Sequence, residues 1–149
     1  MKAALDEAER GIISGDGGPF GAVIVKEGTI IARAHNEVVK SNDPTAHAEI
    51  LAIRKAAKIL ECFSLKGCIL YTTGEPCPMC FSAIHWAHIE KVYYCNTKEE
   101  AASIGFDDRF ITEVILKKTA DPISFIHTPS QRGKSILSQW YDNPEKVPY

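Results

Sequence analysis

The sequence predicts an α/β fold with a mixed sheet, and two patterns carry that prediction. Segments with strand-like and helix-like spacing alternate along the chain, and the first two strand-like runs form a hairpin pattern. Such alternation is typical of α/β domains. With 149 residues, the chain is most simply a single domain, residues 1–149, that buries its own core.

The predicted elements follow the apolar periodicity between breakers rich in Gly and Pro. The predicted helices are residues 2–14, 44–60, 78–88, 98–103, a segment that ends near 116, and 130–141. The predicted strands are residues 20–26, 29–35, 68–72, 91–95 and an edge strand at 123–128. Glu27-Gly28 predicts the hairpin turn, while Asp43 and Pro44 predict the N-cap and the first residue of the second helix.

Composition and charge narrow the classes of function. The net charge of −2 disfavours a large nucleic-acid footprint, because such surfaces usually carry a basic excess. No apolar run approaches the roughly 18 residues of a membrane helix, and the acidic N-terminus does not resemble a signal peptide. Five cysteines are an odd number, and two of them have a metal-binding spacing. Both facts favour a reducing compartment, and we expect a cytoplasmic protein.

Two short motifs carry the chemistry of the chain. The first is His47-x-Glu49, and the second is Pro76 followed by Cys77-x-x-Cys80. One imidazole and two thiolates form a ligand set that Zn²⁺ prefers. Three protein ligands leave the fourth tetrahedral position open, which is the arrangement of a catalytic zinc site, and Glu49 is then placed to move protons.

The spacing within each motif limits where the metal lies. Cys77 and Cys80 are three residues apart at a predicted helix start, so both thiols can face one point. His47 and Glu49 are about 200° apart around a helix, so they meet one site only off its N-terminal end. We therefore expect both motifs at helix N-termini, where the free N–H groups and the helix dipole favour thiolates.

Each of these residues also has a simpler interpretation. The cysteine pair is compatible with a redox motif, or with a structural zinc that takes His35, Cys68 or Cys95 as its fourth ligand. Asp107 and Asp108 are placed to cap a helix, and for these two the capping interpretation is favoured by the residues alone. Phe20 and Trp86 would normally be core aromatics, and Asn36 a turn residue.

The motifs resemble the cytidine-deaminase-like zinc superfamily. The likeness continues through Gly17–Val23, Ser41–Glu49 and Gly105–Asp108 and spans roughly residues 10–116. The Gly-Phe-Asp-Asp element at 105–108 is similar to the bacterial guanine deaminase branch. The resemblance implies a three-layer α/β/α fold with a mixed five-stranded sheet. It also implies a homodimer that exchanges its C-terminal segments, about residues 129–149.

The resemblance further implies a role for particular residues. His47, Cys77 and Cys80 would bind one Zn²⁺ per subunit, with a bound water or hydroxide. Glu49 would be the proton shuttle, and Asp108 a second catalytic group that holds the departing amino group. The implied substrate-binding residues are Asn36, Ala48, Phe20, Trp86 and the terminal Tyr149.

The expected reaction is the zinc-dependent hydrolytic deamination of guanine, a small purine base, to xanthine and ammonia. The alternatives within the superfamily are tRNA adenosine deaminase, which would need a basic groove, and cytosine or guanosine deaminase. From another class, the chain could be a zinc-stabilised interaction module without activity, and the presence of Glu49 argues against that alternative. We expect no membrane partner.

Overall fold

A computed structural model gives the architecture of the chain and describes residues 1–148. The strands are β1 (Gly21–Lys26), β2 (Thr29–His35), β3 (Cys68–Gly74) and β4 (Lys91–Asn96). The helices are α1 (Lys2–Ser14), α2 (Val38–Ser41), α3 (Ala48–Ile59), α4 (Pro78–Trp86), α5 (Lys98–Ser103), α6 (Arg109–Ile115) and α7 (Gln131–Asp142). Within that range, no helix has the length and apolar character needed to cross a membrane.

The sheet is mixed, as predicted, and its strand order is β2-β1-β3-β4. β1 runs antiparallel to both β2 and β3, whereas β3 and β4 are parallel. The predicted hairpin is confirmed: Glu27 and Gly28 connect β1 to β2, and both residues have positive φ angles, of 49° and 78°. Two consecutive positive φ angles match the twist of a two-residue hairpin turn.

Helices cover both faces of the sheet, which confirms the three-layer α/β/α arrangement. Ala22 and Ile24 of β1 belong to the buried core on one face, together with three alanines of α3 at helical spacing, namely Ala48, Ala52 and Ala56. Side chains alternate between the faces of a strand, so Gly21 points the other way. There a Cβ on Gly21 would lie only 2.1 Å from the carbonyl oxygen of Ala4, so α1 packs directly on that glycine.

The helix predicted over residues 44–60 corresponds to α3, and it begins later than the sequence predicts. Residues 43–46 form a turn instead, closed by a hydrogen bond from the Ala46 N–H to the Asp43 carbonyl. Asp43 Oδ1 accepts the N–H of Thr45 at 2.8 Å, so this carboxylate stabilises the turn and does not cap the helix. The fixed φ of Pro44 suits the second position of a turn as well as a first helical turn. The Asp43-Pro44 pattern therefore does not distinguish a turn from a helix start. α3 therefore starts at Ala48, with His47 at its N-cap.

The prediction of a fifth strand is wrong for the residues described. The sheet has four strands, and residues 123–128, the expected edge strand, form no ladder with β4. A strand needs a partner to satisfy its backbone groups, and this segment lies away from the sheet with Phe125 83% exposed. The predicted C-terminal helix, in contrast, is present as α7.

Candidate active site

Two helix N-termini meet at one point beside the end of β3. His47 is the N-cap of α3, and Cys77 is the N-cap of α4, with Pro78 as the first helical residue and Cys80 two residues further. Both N-caps have extended backbone, with ψ angles of 153° and 167°, which turns the chain sharply into each helix. The unpaired N–H groups and the dipoles of both helices therefore converge on the same three side chains.

The three side chains fit a tetrahedral zinc ion. The Sγ atoms of Cys77 and Cys80 lie 3.6 Å and 3.5 Å from Nδ1 of His47. Zinc–sulfur bonds of about 2.3 Å and zinc–nitrogen bonds of about 2.0–2.1 Å imply a sulfur–nitrogen separation of about 3.5 Å at a shared tetrahedral ion. The spacing of the donor atoms is therefore that of a zinc site, and the donor set is the one zinc prefers.

Within the described chain, the cluster of potential metal ligands consists of three residues. Among residues 1–148, no further His, Cys, Asp or Glu ligand atom joins His47, Cys77 and Cys80 within mutual reach of 4.8 Å. Of the three candidate fourth ligands, Cys68 lies in the hydrophobic core, Cys95 points its thiol at the Thr73 carbonyl, and His35 belongs to a separate cluster. This arrangement favours an open coordination position over a closed structural site.

The charges of the cluster are shared between its members. A hydrogen bond from Cys80 is the main cause that lowers the pKa of Cys77 to about 4, and His47 contributes to the same effect. Cys77 in turn raises the pKa of both Cys80 and His47 by hydrogen bonding. One thiol thus already carries negative charge at neutral pH, and a bound dication would favour deprotonation of the second.

Glu49 lies beside the cluster in a dry environment. It occupies the second position of α3, is 5% exposed, and places Oε2 3.6 Å from Sγ of Cys80. Its other oxygen, Oε1, accepts the hydroxyl of Thr72 on β3 at 3.1 Å, which fixes the orientation of the carboxyl group. Burial is the main cause that raises the pKa of Glu49, because the apolar surroundings disfavour the carboxylate.

A cavity of about 250 Å³ opens on this cluster. Its lining residues are Phe20, Asn36, His47, Glu49, Gly74, Glu75, Cys77, Lys98, Ala101, Gly105, Phe106, Asp107, Asp108 and Ile111. Ligand pockets usually measure about 300–1,000 Å³, so this cavity suits a small ligand. It combines an apolar wall with a few polar groups, as small-molecule sites generally do.

Two phenylalanines form the apolar wall. The rings of Phe20 and Phe106 meet edge to face with their centroids 4.9 Å apart. A Cβ on Gly74 would lie 3.1 Å from the Phe20 ring, and one on Gly18 would lie 2.8 Å from the Phe106 ring. A side chain at either glycine would therefore crowd these rings, which explains Gly74 two residues before Pro76 of the cysteine motif. Phe106 was part of the quoted motif, but the sequence assigned it no role.

Asn36 and Asp108 both lie in the cavity wall, far apart in sequence. Asn36 is nearly buried, and its Oδ1 accepts the N–H groups of Gly18 and Val38. Asp108 occupies the N-cap position of α6 but makes no capping hydrogen bond. Its carboxylate lies 3.6 Å from Nζ of Lys98, which also lines the cavity and was not singled out by the sequence.

Three expected substrate residues lie elsewhere or outside the described range. Trp86 is in the last turn of α4 and 67% exposed, so within one chain it does not line the cavity. Ala48 is fully buried between His47 and Glu49, and its side chain packs in the core. Tyr149 lies outside the described residues. For these three, the substrate contacts remain predictions.

The structure contains a second polar cluster that was not predicted from the sequence. The buried His35 lies between two carboxylates, with Nε2 2.7 Å from Asp16 and Nδ1 3.4 Å from Glu7. Lys40 Nζ contacts the same Asp16 oxygen at 3.0 Å. The signal available in the sequence was an Asp within a run of glycines, Gly15–Gly18, but its partners come from α1, β2 and α2 and only the fold brings them together.

We expect Cys80→Ser to lose the metal. A serine hydroxyl is a harder and mostly protonated donor, so zinc affinity should fall by more than about 100-fold, as measured by competition with a chromophoric chelator. Cys62→Ser, in an exposed position, serves as the control and should bind zinc like the wild type. Native zinc affinity in Cys80→Ser would refute the ligand assignment.

Comparison with known proteins agrees with this site. Residues 1–96 match the family described as the cytidine and deoxycytidylate deaminase zinc-binding region. The chain is 47% identical to the guanine deaminase of Bacillus subtilis, an alignment that covers 100% of this chain and 96% of the relative. It is also 38% identical to the tRNA-specific adenosine deaminase of Aquifex aeolicus, over 95% of this chain and 91% of the relative.

The fold matches a solved structure closely. The crystal structure of guanine deaminase from Bacillus subtilis superposes with a TM-score of 0.94 and 48% identity, over 99% of this chain and 95% of that chain. Together with the family match, which covers both motifs, this likeness establishes the α/β cytidine-deaminase-like fold and the zinc cofactor. The chain belongs to the cytidine and deoxycytidylate deaminase family of zinc-binding deaminases.

Proposed function

We propose that this chain catalyses the hydrolytic deamination of guanine to xanthine and ammonia. The observation that carries the proposal is the cluster of His47, Cys77 and Cys80, with the buried Glu49 beside it in the wall of a small cavity. The full-length similarity to a guanine deaminase supports guanine as the base.

The zinc ion has one chemical role in this proposal. His47, Cys77 and Cys80 would hold the ion, which would lower the pKa of a coordinated water to about 7 and so supply a nucleophile at neutral pH. The cavity adjoins His47 and Cys77, so a base bound in it would lie beside these residues.

Glu49 carries the protons of the reaction. Its carboxylate takes one proton as the water oxygen attacks C2 of guanine, and delivers that proton to ring N3. The second water proton then goes to the C2 amino group, which leaves as ammonia while the C2=O of xanthine forms. Thr72 holds Oε1 in place, so Oε2 is the oxygen that moves protons. General acid–base catalysis of this kind typically contributes about 10²–10⁴-fold.

Asn36 and Asp108 hold the base from the other walls. The Oδ1 of Asn36 is already occupied by two backbone N–H groups, so its amide nitrogen donates to the purine. The Asp108 carboxylate accepts from the exocyclic amino group that leaves. Lys98 pairs with Asp108 and keeps that carboxylate directed along the cavity wall.

The main rival is deamination of adenosine in tRNA, an activity named for the Aquifex aeolicus relative. Such an enzyme needs a basic surface beside the pocket for a flipped nucleotide. Among the described lining residues, the one lysine or arginine is Lys98, and it is paired with Asp108. The charge of −2 and the higher identity to a guanine deaminase also favour the free base.

Because two of the proposed metal ligands are thiolates, a reducing cytoplasm is part of this proposal.

The proposal predicts a clear order of substrates. The zinc-loaded chain should release ammonia from guanine at least about 100-fold faster, in kcat/KM, than from guanosine, cytosine, adenine or a tRNA anticodon stem-loop. A substrate that fits its polar groups is commonly favoured by factors of this size or more. Ammonia can be followed by a coupled assay. Faster release from the stem-loop than from guanine would reverse the assignment, and no release from any substrate would reject the enzyme.

A second prediction concerns Glu49→Gln, which tests the role of Glu49 as the proton carrier. Glutamine retains the shape and the contact with Thr72 but cannot take up a proton, so the variant should keep one zinc per chain and lose nearly all turnover. Zinc is measured by atomic emission. A Glu49→Gln variant with wild-type turnover would remove Glu49 from the mechanism.

We also propose that the chain is a homodimer whose C-terminal segments, about residues 129–149, are exchanged. α7 buries none of its residues against its own chain, although Leu137 is 72% exposed and other apolar side chains of this helix are exposed too. Large exposed apolar patches commonly mark protein–protein interfaces. An apolar groove between α4, β4 and α6, lined by Phe81, Val92 and Ile115 among others, offers a partner surface for such a helix.

Light scattering tests this assembly. The wild-type chain should have twice the mass of one polypeptide at micromolar concentration, and Leu137→Lys should shift the protein towards the monomer because it places a charge in the interface. Ser135→Lys, on the opposite face of α7 at 100° per residue, should leave the dimer intact. A wild-type monomer, or equal behaviour of both variants, would contradict the proposal.

A further inference from the structure

We propose that Asp16, Gly17 and His35 are positioning residues that fix the Asn36 carboxamide as a hydrogen-bond donor towards the base. The inference rests on the proposed function, because it concerns how the site recognises guanine. None of the three residues lines the cavity in the described chain, so they act through Asn36 and not by touching the ligand.

The orientation of Asn36 follows from its hydrogen bonds. The side chain is 4% exposed and forms part of the cavity wall. Its Oδ1 accepts the N–H groups of Gly18 and Val38, each at 3.2 Å, which uses both lone pairs of that oxygen. A flipped carboxamide would direct its NH₂ at two N–H donors and leave them unpaired. The amide nitrogen is therefore the group presented to the cavity.

Gly17 sets the position of the same carboxamide by its lack of a side chain. A Cβ at this residue would lie 2.1 Å from Oδ1 of Asn36 and 2.8 Å from its carbonyl oxygen. Distances below 3.0 Å require one of the groups to move, and the Asn36 backbone is held by a hydrogen bond from its N–H to the Phe20 carbonyl. The side chain of Asn36 would consequently be the part displaced.

Asp16 and His35 join the two segments that hold Asn36. The Asp16 carbonyl accepts the N–H groups of Val39 and Lys40, while its carboxylate contacts His35 Nε2 at 2.7 Å and Lys40 Nζ at 3.0 Å. The segment that donates the Gly18 N–H is thus tied to the segment that donates the Val38 N–H. Loss of the Asp16 carboxylate would keep the two backbone hydrogen bonds but remove the contacts with His35 and Lys40, so the positions of both donors, and with them the carboxamide, would be less tightly fixed.

A fixed donor has a specific consequence for recognition. Guanine carries three outward acceptors, N3, N7 and O6. Because N3 takes the proton from Glu49, the Asn36 amide nitrogen pairs with N7 or O6. A ligand without that acceptor leaves a buried N–H unpaired, a loss that corresponds to about 10–100-fold in affinity. 7-Deazaguanine removes the N7 acceptor alone, and 2-aminopurine removes O6 while it also turns N1 from a donor into an acceptor. 3-Deazaguanine lacks N3 and is the control that should keep the Asn36 hydrogen bond.

The test measures the inhibition constants of these three analogues against guanine deamination. The wild-type enzyme should bind 7-deazaguanine or 2-aminopurine about 10–100-fold more weakly than guanine. In Gly17→Ala and Asp16→Ala, KM for guanine should rise by the same factor with kcat changed less than about threefold, and the penalty for that analogue should disappear. Asp16→Asn, which retains an acceptor for His35 or Lys40, should recover part of the penalty.

Controls separate positioning from loss of the fold. Gly133→Ala, where a Cβ meets nothing closer than 3.5 Å, is the matched glycine substitution and should retain the full penalty. Zinc content and thermal unfolding identify variants that do not fold, in which case Asp16→Asn carries the test. If the wild type is active but shows no penalty, or the variants retain it, this inference alone is wrong. If the wild type releases no ammonia from guanine, the proposed function fails and the inference fails with it.

Discussion

The convergence of two helix N-termini on one point is the constraint on which the rest of the site depends. His47 and Cys77 are the N-caps of α3 and α4, and each directs a proposed metal ligand into the same space, where the helix dipoles favour negative charge. The turn at Pro44 and the proline that opens α4 at residue 78 fix where these helices start. If either helix began one residue earlier, its ligand would rotate by about 100° and leave the cluster.

The same geometry accounts for a buried carboxyl group whose desolvation would otherwise destabilise the fold. Glu49 is two residues beyond His47, so the start of α3 that places the metal ligand also brings this side chain into the interior. The hydroxyl of Thr72 satisfies one oxygen, and a dication held by the neighbouring thiolates would offset the desolvation of the charge. Asn36 and Asp108, the residues proposed to recognise the base, lie further out, on loops that the fold, and not the motif, brings together.

The chemistry of the site could be predicted from the sequence because ligand type and spacing are local properties. The position of the site off the helix N-terminus was also predictable, since His47 and Glu49 share no helix face. Other features depend on distant partners: Asp108 has the sequence context of a cap, but Lys98 and the cavity surround its carboxylate. The edge strand at 123–128 was predicted from the local sequence pattern, which cannot specify whether a ladder partner exists.

X-ray absorption at the zinc edge tests the central claim most directly, because it counts the sulfur ligands of the bound ion in solution. The account predicts two sulfur atoms at about 2.3 Å and two lighter atoms at about 2.0–2.1 Å, namely one imidazole nitrogen and one exchangeable oxygen. Three or four sulfur neighbours, or fewer than two, would contradict an open catalytic site made by His47, Cys77 and Cys80.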